Sequence, residues 1–242
     1  MCIRDSGETM NMQGAIFDVD GTLLDSMFIW ETIGEDYLRH RGITPKPDTH
    51  EILKPLSLAQ AAAYFQATFG LSESISEIIA EVNQLIEEYY QTSLMLKPGV
   101  KEFLQILQQN QVKMCIATAT DQHLVEAALK RNGILSYFIE VFTCSQVGAG
   151  KDHPKIFLDA WQALGTAKQA TFVFEDAIHA IETAKAADFP VVAVYEPAYQ
   201  KHQKTIQGLA DYYLPSFQLF ITNPNLVKEL FFHEKSTDHC RF

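Results

Sequence analysis

Apolar residues in this chain fall into two kinds of run. The first kind is short, mostly apolar and rich in β-branched or aromatic side chains: Ala15 to Phe17, Val112 to Ala117, Ile139 to Cys144, Thr171 to Phe174 and Val191 to Tyr195. Runs of that length predict strands buried on both faces. The second kind recurs every three to four residues. Val100, Phe103, Leu104 and Leu107 share one face of a helix predicted over Val100 to Gln109, and His123 to Arg131, Lys155 to Leu164 and Ala177 to Ala187 read as further amphipathic helices. Strands alternating with helices of this length predict an α/β fold, a doubly wound, Rossmann-like parallel sheet with helices on both faces.

The alternation stops between residues 27 and 92. That stretch holds no strand-like run, and Gly42, Pro45, Pro47, Pro55 and Gly70 cut it into roughly four helices, the clearest carrying Ile75, Ile78, Ile79, Val82, Leu85, Ile86 and Tyr89 on one stripe. The chain therefore reads as a core of residues 10–26 and 93–220 with an inserted α-helical cap over 27–92, the return marked by Pro98-Gly99. An all-helical insert directly after a reactive strand end is expected to act as a lid. Residues 1–9 read as an N-terminal extension outside the fold. Residues 221–242 read as a C-terminal tail, in which Leu226, Val227, Leu230, Phe231 and Phe232 have the spacing of one docking helix.

At 242 residues and 47% hydrophobic composition the chain can bury a sizeable core and is not a disordered segment. Its formal charge of −11 argues against nucleic-acid or anionic-membrane partners, which need basic patches. No apolar run is long enough to span a bilayer. The four cysteines, Cys2, Cys115, Cys144 and Cys240, show no short paired spacing, so neither a zinc site nor a disulfide framework is expected. A cytoplasmic monomer is the expectation.

The candidate chemistry begins at Asp18-Val19-Asp20-Gly21-Thr22, directly after the first apolar run. Side chains alternate along a strand, so Asp20 can swing back beside Asp18 only if the strand ends and Gly21 turns the backbone. One carboxylate can then attack phosphorus while the other exchanges a proton with the leaving oxygen. A carboxylate and a phosphate dianion repel each other, so a hard divalent cation such as Mg²⁺ is expected with them. An Asp-rich turn formed for conformational reasons alone has the same sequence. Three further positions fall at strand ends. Thr118 and the N–H groups from Ala119 onward suit an anion site, although Thr120 or Asp121 would serve equally as a helix cap. Lys151 lies in a glycine-bearing loop pinned by Pro154, where it can neutralise a phosphate and a nucleophile, or sit as a solvated charge. Adjacent Glu175 and Asp176 repel each other unless a cation lies between them, and acids also favour the start of the helix that follows.

Taken in order, Asp18-x-Asp20-Gly-Thr, Thr118, Lys151 and Glu175-Asp176 resemble the four motifs of the haloacid dehalogenase superfamily, and the helical insert resembles that family's first type of cap. The resemblance spans roughly Gln13 to Pro215. It implies an aspartyl-phosphate mechanism with Asp18 as nucleophile and Asp20 as general acid and base, which also offers its backbone carbonyl to Mg²⁺. Thr118, Ala119 and Lys151 would hold the phosphoryl oxygens, with Lys151 also orienting Asp18. Asp176 would ligate the metal directly, and Glu175 directly or through water. An acid at Asp20 is similar to the phosphatase branch rather than the dehalogenases.

The nearest branch is the β-phosphoglucomutase-like group, and two departures weigh against a mutase. Trp30 stands where the mutase has a cap histidine, and Leu53-Lys54-Pro55-Leu56-Ser57 lacks the arginine that grips a second phosphate. The function implied is a Mg²⁺-dependent phosphatase of small phosphorylated metabolites, sugar phosphates foremost. The alternatives are a phosphomutase with a bisphosphate intermediate and a catalytically silent binding protein. In the cap, Trp30 is a candidate to stack on a sugar ring or to fill the cap core, and Lys54 to meet a substrate anion or solvent. After Asp176, His179 could face the site or solvent, and Asp188 replaces a frequent helix-ending glycine.

Overall fold

The computed structural model describes residues 11–53, 56, 58–223, 226–227 and 231–232. The chain divides into two compact units, one built from the segments up to Asp25 and from Met95 onward, the other from Ser26–Leu94.

The first unit is the α/β core. Its six described strands are β1 (Gly14–Phe17), β2 (Lys113–Thr118), β3 (Val141–Thr143), β4 (Thr171–Glu175), β5 (Val191–Val194) and β6 (Tyr212–Leu214). They lie in the order β3-β2-β1-β4-β5-β6, all parallel. β1 is central because its side chains are buried on both faces, and the crevice where the strand order reverses, between β1 and β4, is where such sheets bind ligands. Phe17 and Phe174 are register partners and stack at 4.5 Å immediately before Asp18 and Glu175, so the two strand ends that carry acids are packed together from below.

The second unit is all helix: α1 (Met27–His40), α2 (Thr49–Leu53), α3 (Leu58–Phe69) and α4 (Ile75–Thr92). In α4 the buried residues are Ile78, Val82, Ile86 and Tyr90, so the stripe lies one position further round than Ile75 and Tyr89 would put it. Ser74 and Glu77 form a reciprocal capping box that fixes where α4 starts. Tyr37 in α1 donates a 2.7 Å hydrogen bond to Glu81 in α4, tying the two longest helices together.

Core helices cover both faces of the sheet. On one face α8 (Lys155–Leu164), α9 (Ile178–Ala186) and α10 (Gln203–Leu209) pack on Ile16, Cys115, Ala117, Val173, Val191 and Ala193. On the other, Phe103 of α5 (Val100–Gln109) and Phe220 of α11 (Gln218–Thr222) stack at 4.7 Å over Phe17 and Phe174. α6 (Gln122–Arg131) and the one-turn α7 (Cys144–Val147) belong to the same unit.

The sequence reading differs from this core in several places, of which three bear on how the core is built; elsewhere Ile139 and Glu140 precede β3, Val112 and Tyr195 fall outside β2 and β5, and α10 was not expected. Cys144 does not extend β3, because Thr143 and Gln146 form a capping box that starts α7 there. β6 was not expected: it is three residues long, and Tyr212-Tyr213-Leu214 offers no alternation to read. Residues 221–242 are not wholly a tail. α11 crosses that boundary, Val227 and Phe231 are buried, and the Phe231 carbonyl accepts a hydrogen bond from the Met12 N–H at 2.9 Å. Residues 1–9 and the remainder of the C-terminal segment lie outside the described residues.

Candidate active site

The chemistry-bearing residues of the core meet at the carboxyl ends of β1, β2 and β4. After β1 the N–H of Asp18 still donates to the Phe174 carbonyl at 3.0 Å, so the first acid is held by the sheet itself. The chain then turns. Gly21 adopts φ +82°, the N–H groups of Leu23 and Leu24 return to the Val19 carbonyl, and the turn leaves Asp20 beside the loop after β2. A side chain at Gly21 would be strained in that left-handed conformation.

Lys151 is the hub. Its ammonium donates to Asp18 Oδ1 and to Glu175 Oε1, and the lysine is only 7% exposed. It is therefore not a solvated surface charge. Gly148, in the left-handed conformation, ends α7, and Pro154 leads into α8, which together confine the short loop that carries it. Glu175 is fully engaged: while Oε1 meets the lysine, Oε2 accepts from the N–H groups of Asp176 at 3.0 Å and Ala177 at 3.2 Å. Asp176 differs. Its Oδ1 accepts from the Thr22 hydroxyl at 3.2 Å, but its buried Oδ2 has no hydrogen-bond partner.

That orphaned oxygen tests whether a cation suits the site. A buried, unpartnered carboxylate oxygen is costly. Asp18, Glu175 and Asp176 bring carboxylate oxygens within 4.8 Å of one another, all buried. An all-oxygen, anionic donor set of this kind fits a hard divalent cation rather than a thiophilic one.

The electrostatics agree. Burial pushes the Asp18 carboxyl up to about 7, against the attraction of Lys151 and with Glu175 and Asp20 adding to the rise. Asp176 is likewise held well above the usual carboxylate range, by burial first and then by Asp18 and Glu175. Burial works against the charge on Lys151, yet Asp18 and Glu175 together outweigh it and hold that ammonium above its ordinary range. The acids outnumber the lysine, and a bound cation would redress the difference.

Thr118 is fully buried at the end of β2, and its Oγ accepts the Thr120 N–H at 3.1 Å. Ala119 between them is exposed. Thr120 does not cap the helix that follows: Asp121 takes the cap position without a side-chain cap bond, and the Thr120 hydroxyl donates instead to Asp20 Oδ2 at 2.7 Å. Sequence reasoning missed that pairing, the Thr22 bond to Asp176, and the ion pair of Lys97 with Glu196 at 2.7 Å. The ammonium of Lys97 also donates to the Tyr195 carbonyl at 2.8 Å. The only sequence signal for Thr22 was its place in the Asp-Gly-Thr turn, and for the other residues there was none.

His179 is exposed on α9, and Asp188 takes the left-handed conformation at φ +58°. In the helical unit Trp30 is not core. It is 49% exposed and lines a cavity of about 250 Å³ with Ile33, Leu53, Phe65, Ile78 and Val82. Lys54 lies outside the described residues. Among the described residues no helix is long and apolar enough to cross a membrane.

Comparison with known proteins places this geometry. A phosphorylated-carbohydrate phosphatase of Thermotoga maritima is 27% identical over 150 residues, covering 61% of this chain and 68% of the relative. Hexitol phosphatase A of Escherichia coli K12 is 31% identical over 163 residues, covering 66% and 72%. The crystal structure of a Thermotoga maritima protein provisionally named a β-phosphoglucomutase superposes with a TM-score of 0.78 at 23% identity, over 90% of this chain and all of that one, which speaks for the fold. The sequence pattern of the haloacid dehalogenase-like hydrolases matches residues 15–194, and the chain belongs to that family.

Proposed function

We propose that the protein is a Mg²⁺-dependent phosphatase of small phosphomonoesters, sugar phosphates foremost, working through a phosphoryl group carried on Asp18. The chain is a phosphoric monoester hydrolase of its family. The relatives named for phosphorylated carbohydrates and hexitols support the sugar-phosphate reading. The single observation that carries the metal reading is the buried, unpartnered Oδ2 of Asp176 beside Asp18.

In this reading Asp18, Asp176 and the backbone carbonyl of Asp20 hold the cation. Glu175 acts through Lys151 instead, since both its oxygens are already engaged. A bound divalent cation supplies charge neutralisation between carboxylate and phosphate. Lys151 and the Thr118 hydroxyl steady the phosphoryl oxygens. An oxygen of Asp18 attacks phosphorus in line, the ester P–O bond breaks, and the leaving oxygen takes a proton from Asp20. Water then attacks phosphorus, its proton goes to Asp20, and inorganic phosphate leaves with Asp18 restored. One chain supplies every residue in this scheme, which fits a monomer, and the free thiols Cys115 and Cys144 fit the reducing cytoplasm.

The test is phosphate release from a panel of sugar and small-metabolite phosphates, with Mg²⁺ or EDTA, for wild type and Asp18→Asn. Metal-dependent release that vanishes in the variant supports the proposal. Equal release by both proteins would end it.

A further inference from the structure

We propose that Thr120 is the positioning residue of the proton-transfer step, holding Asp20 so that one defined oxygen of its carboxyl serves the leaving group. The proposal rests on the phosphatase reading above and adds to it a residue and an atom-level role.

Thr120 and Asp20 are a hundred positions apart in sequence and meet through a 2.7 Å hydrogen bond from the Thr120 hydroxyl to Asp20 Oδ2. A threonine just before a helix ordinarily spends its hydroxyl on the helix N–H groups. Here the cap position belongs to Asp121 and the hydroxyl points to the acid. The threonine is itself fixed, because its N–H donates to Thr118 Oγ at 3.1 Å. With that oxygen accepting, the Thr118 hydroxyl proton is available to a phosphoryl oxygen. One short turn thus sets both the phosphate contact and the proton donor.

The hydrogen bond also decides which oxygen carries the proton. Oδ2 accepts from Thr120, so in the acid form the proton resides on Oδ1. As the ester P–O bond breaks, the Oδ1–H bond breaks with it and the proton passes to the leaving oxygen, giving the alcohol and the Asp20 carboxylate. That carboxylate keeps its charge-assisted bond from Thr120. In the second half, Oδ1 takes the proton of the attacking water and the acid form returns. Removing the hydroxyl removes one restraint on rotation about the Asp20 Cβ–Cγ bond, and the proton is then presented in the productive direction for a smaller share of the time.

The experiment compares kcat/KM, which reports the first phosphoryl transfer, on an alkyl phosphate and on p-nitrophenyl phosphate. The alkoxide needs its proton and p-nitrophenolate does not. Thr120→Val is expected to lose ~10-fold or more on the alkyl ester and less than ~3-fold on the aryl ester, with Thr120→Ser near wild type on both. Asp20→Asn should show the same bias more strongly, and the double variant should be no worse than Asp20→Asn alone. Equal losses on both esters, or none on either, would overturn the positioning role while leaving the phosphatase intact. If Thr120→Val does not fold, Thr120→Ala, which adds no bulk, decides by the same ratio. A wild type that releases phosphate from neither ester sinks the phosphatase reading itself.

Discussion

Asp18→Asn will raise the thermal stability of the metal-free protein at alkaline pH while removing its activity. The folded Asp18 carboxyl sits at about 7, with burial the leading cause. An unfolded aspartate titrates near 4, so the gap is roughly three pH units and, at ~1.4 kcal/mol per unit, amounts to ~4 kcal/mol. The attraction of Lys151 is already inside that balance. Because the folded state binds this proton more tightly, the native state loses stability as pH rises from 4 towards 7, and above that it carries the whole penalty. Asparagine stays neutral at every pH. Relative to it, wild type is disfavoured by ~1.5 kcal/mol at pH 5 and ~4 kcal/mol at pH 8.5. At ~2–4 °C per kcal/mol for a chain of this size, the variant should melt roughly 10 °C higher in EDTA at pH 8.5 and roughly 4 °C higher at pH 5. Differential scanning calorimetry at the two pH values reads both gaps. Adding Mg²⁺ at pH 8.5 should narrow the larger one, because the cation stabilises the native wild type that binds it. A variant that melts lower than wild type at pH 8.5, or a gap that does not change with pH, would refute the reasoning.

Other substitutions separate the remaining roles. Asp176→Asn should raise the Mg²⁺ concentration needed for half-maximal rate by ~10-fold or more. Glu175→Gln should act mainly on kcat, because it loosens Lys151 instead of a metal ligand, and a metal titration of both variants checks the split. Phe231→Ala removes a fully buried ring that packs edge-on to Phe172 at 5.5 Å and beside Phe174 and Tyr212, and denaturant melts should show a loss of ~3–4 kcal/mol. Gly99→Ala puts a Cβ 2.4 Å from the Phe217 backbone carbonyl carbon at φ +91°, so it should cost ~2 kcal/mol or more and lower the melting temperature.

How much of this was legible beforehand follows from what a sequence pattern encodes. Burial on two faces writes itself as a short, mostly apolar run, and β1, β2, β4 and β5 could be read for that reason. Helix amphipathicity did the same for α5 and α8, whose ends match the reading residue for residue. β6 packs beside β5 at the sheet's edge and is too short to show a period. Phe231 could be read as one position of a docking helix in the tail, but its docking place could not, because its partners, Phe172, Phe174 and Tyr212, lie elsewhere in the chain. The site divides along the same line. The positions of Asp18, Thr118, Lys151 and Glu175 as candidates were readable because each lies at a strand end or in a marked loop. The hydrogen bonds that give them roles join loops from distant segments, and no local pattern carries those.

Glu175 shows the consequence for mechanism. From sequence it is one of two adjacent acids, and adjacent acids suggest a shared metal. In the folded chain its oxygens are divided between Lys151 and the first N–H groups after β4, while its neighbour keeps an oxygen with no partner. The two carboxylates therefore differ in what they can still accept. Glu175 neutralises and fixes the lysine that meets Asp18, and Asp176 retains the acceptor capacity that the proposed cation would take up. That division leaves the metal-free site with buried negative charge in excess, and the excess adds to burial in raising the Asp18 carboxyl. In the proposed reading the same surplus that destabilises the metal-free site gives it affinity for a divalent ion, so the stability gap between wild type and the Asp18→Asn variant should close as metal is titrated in and binds.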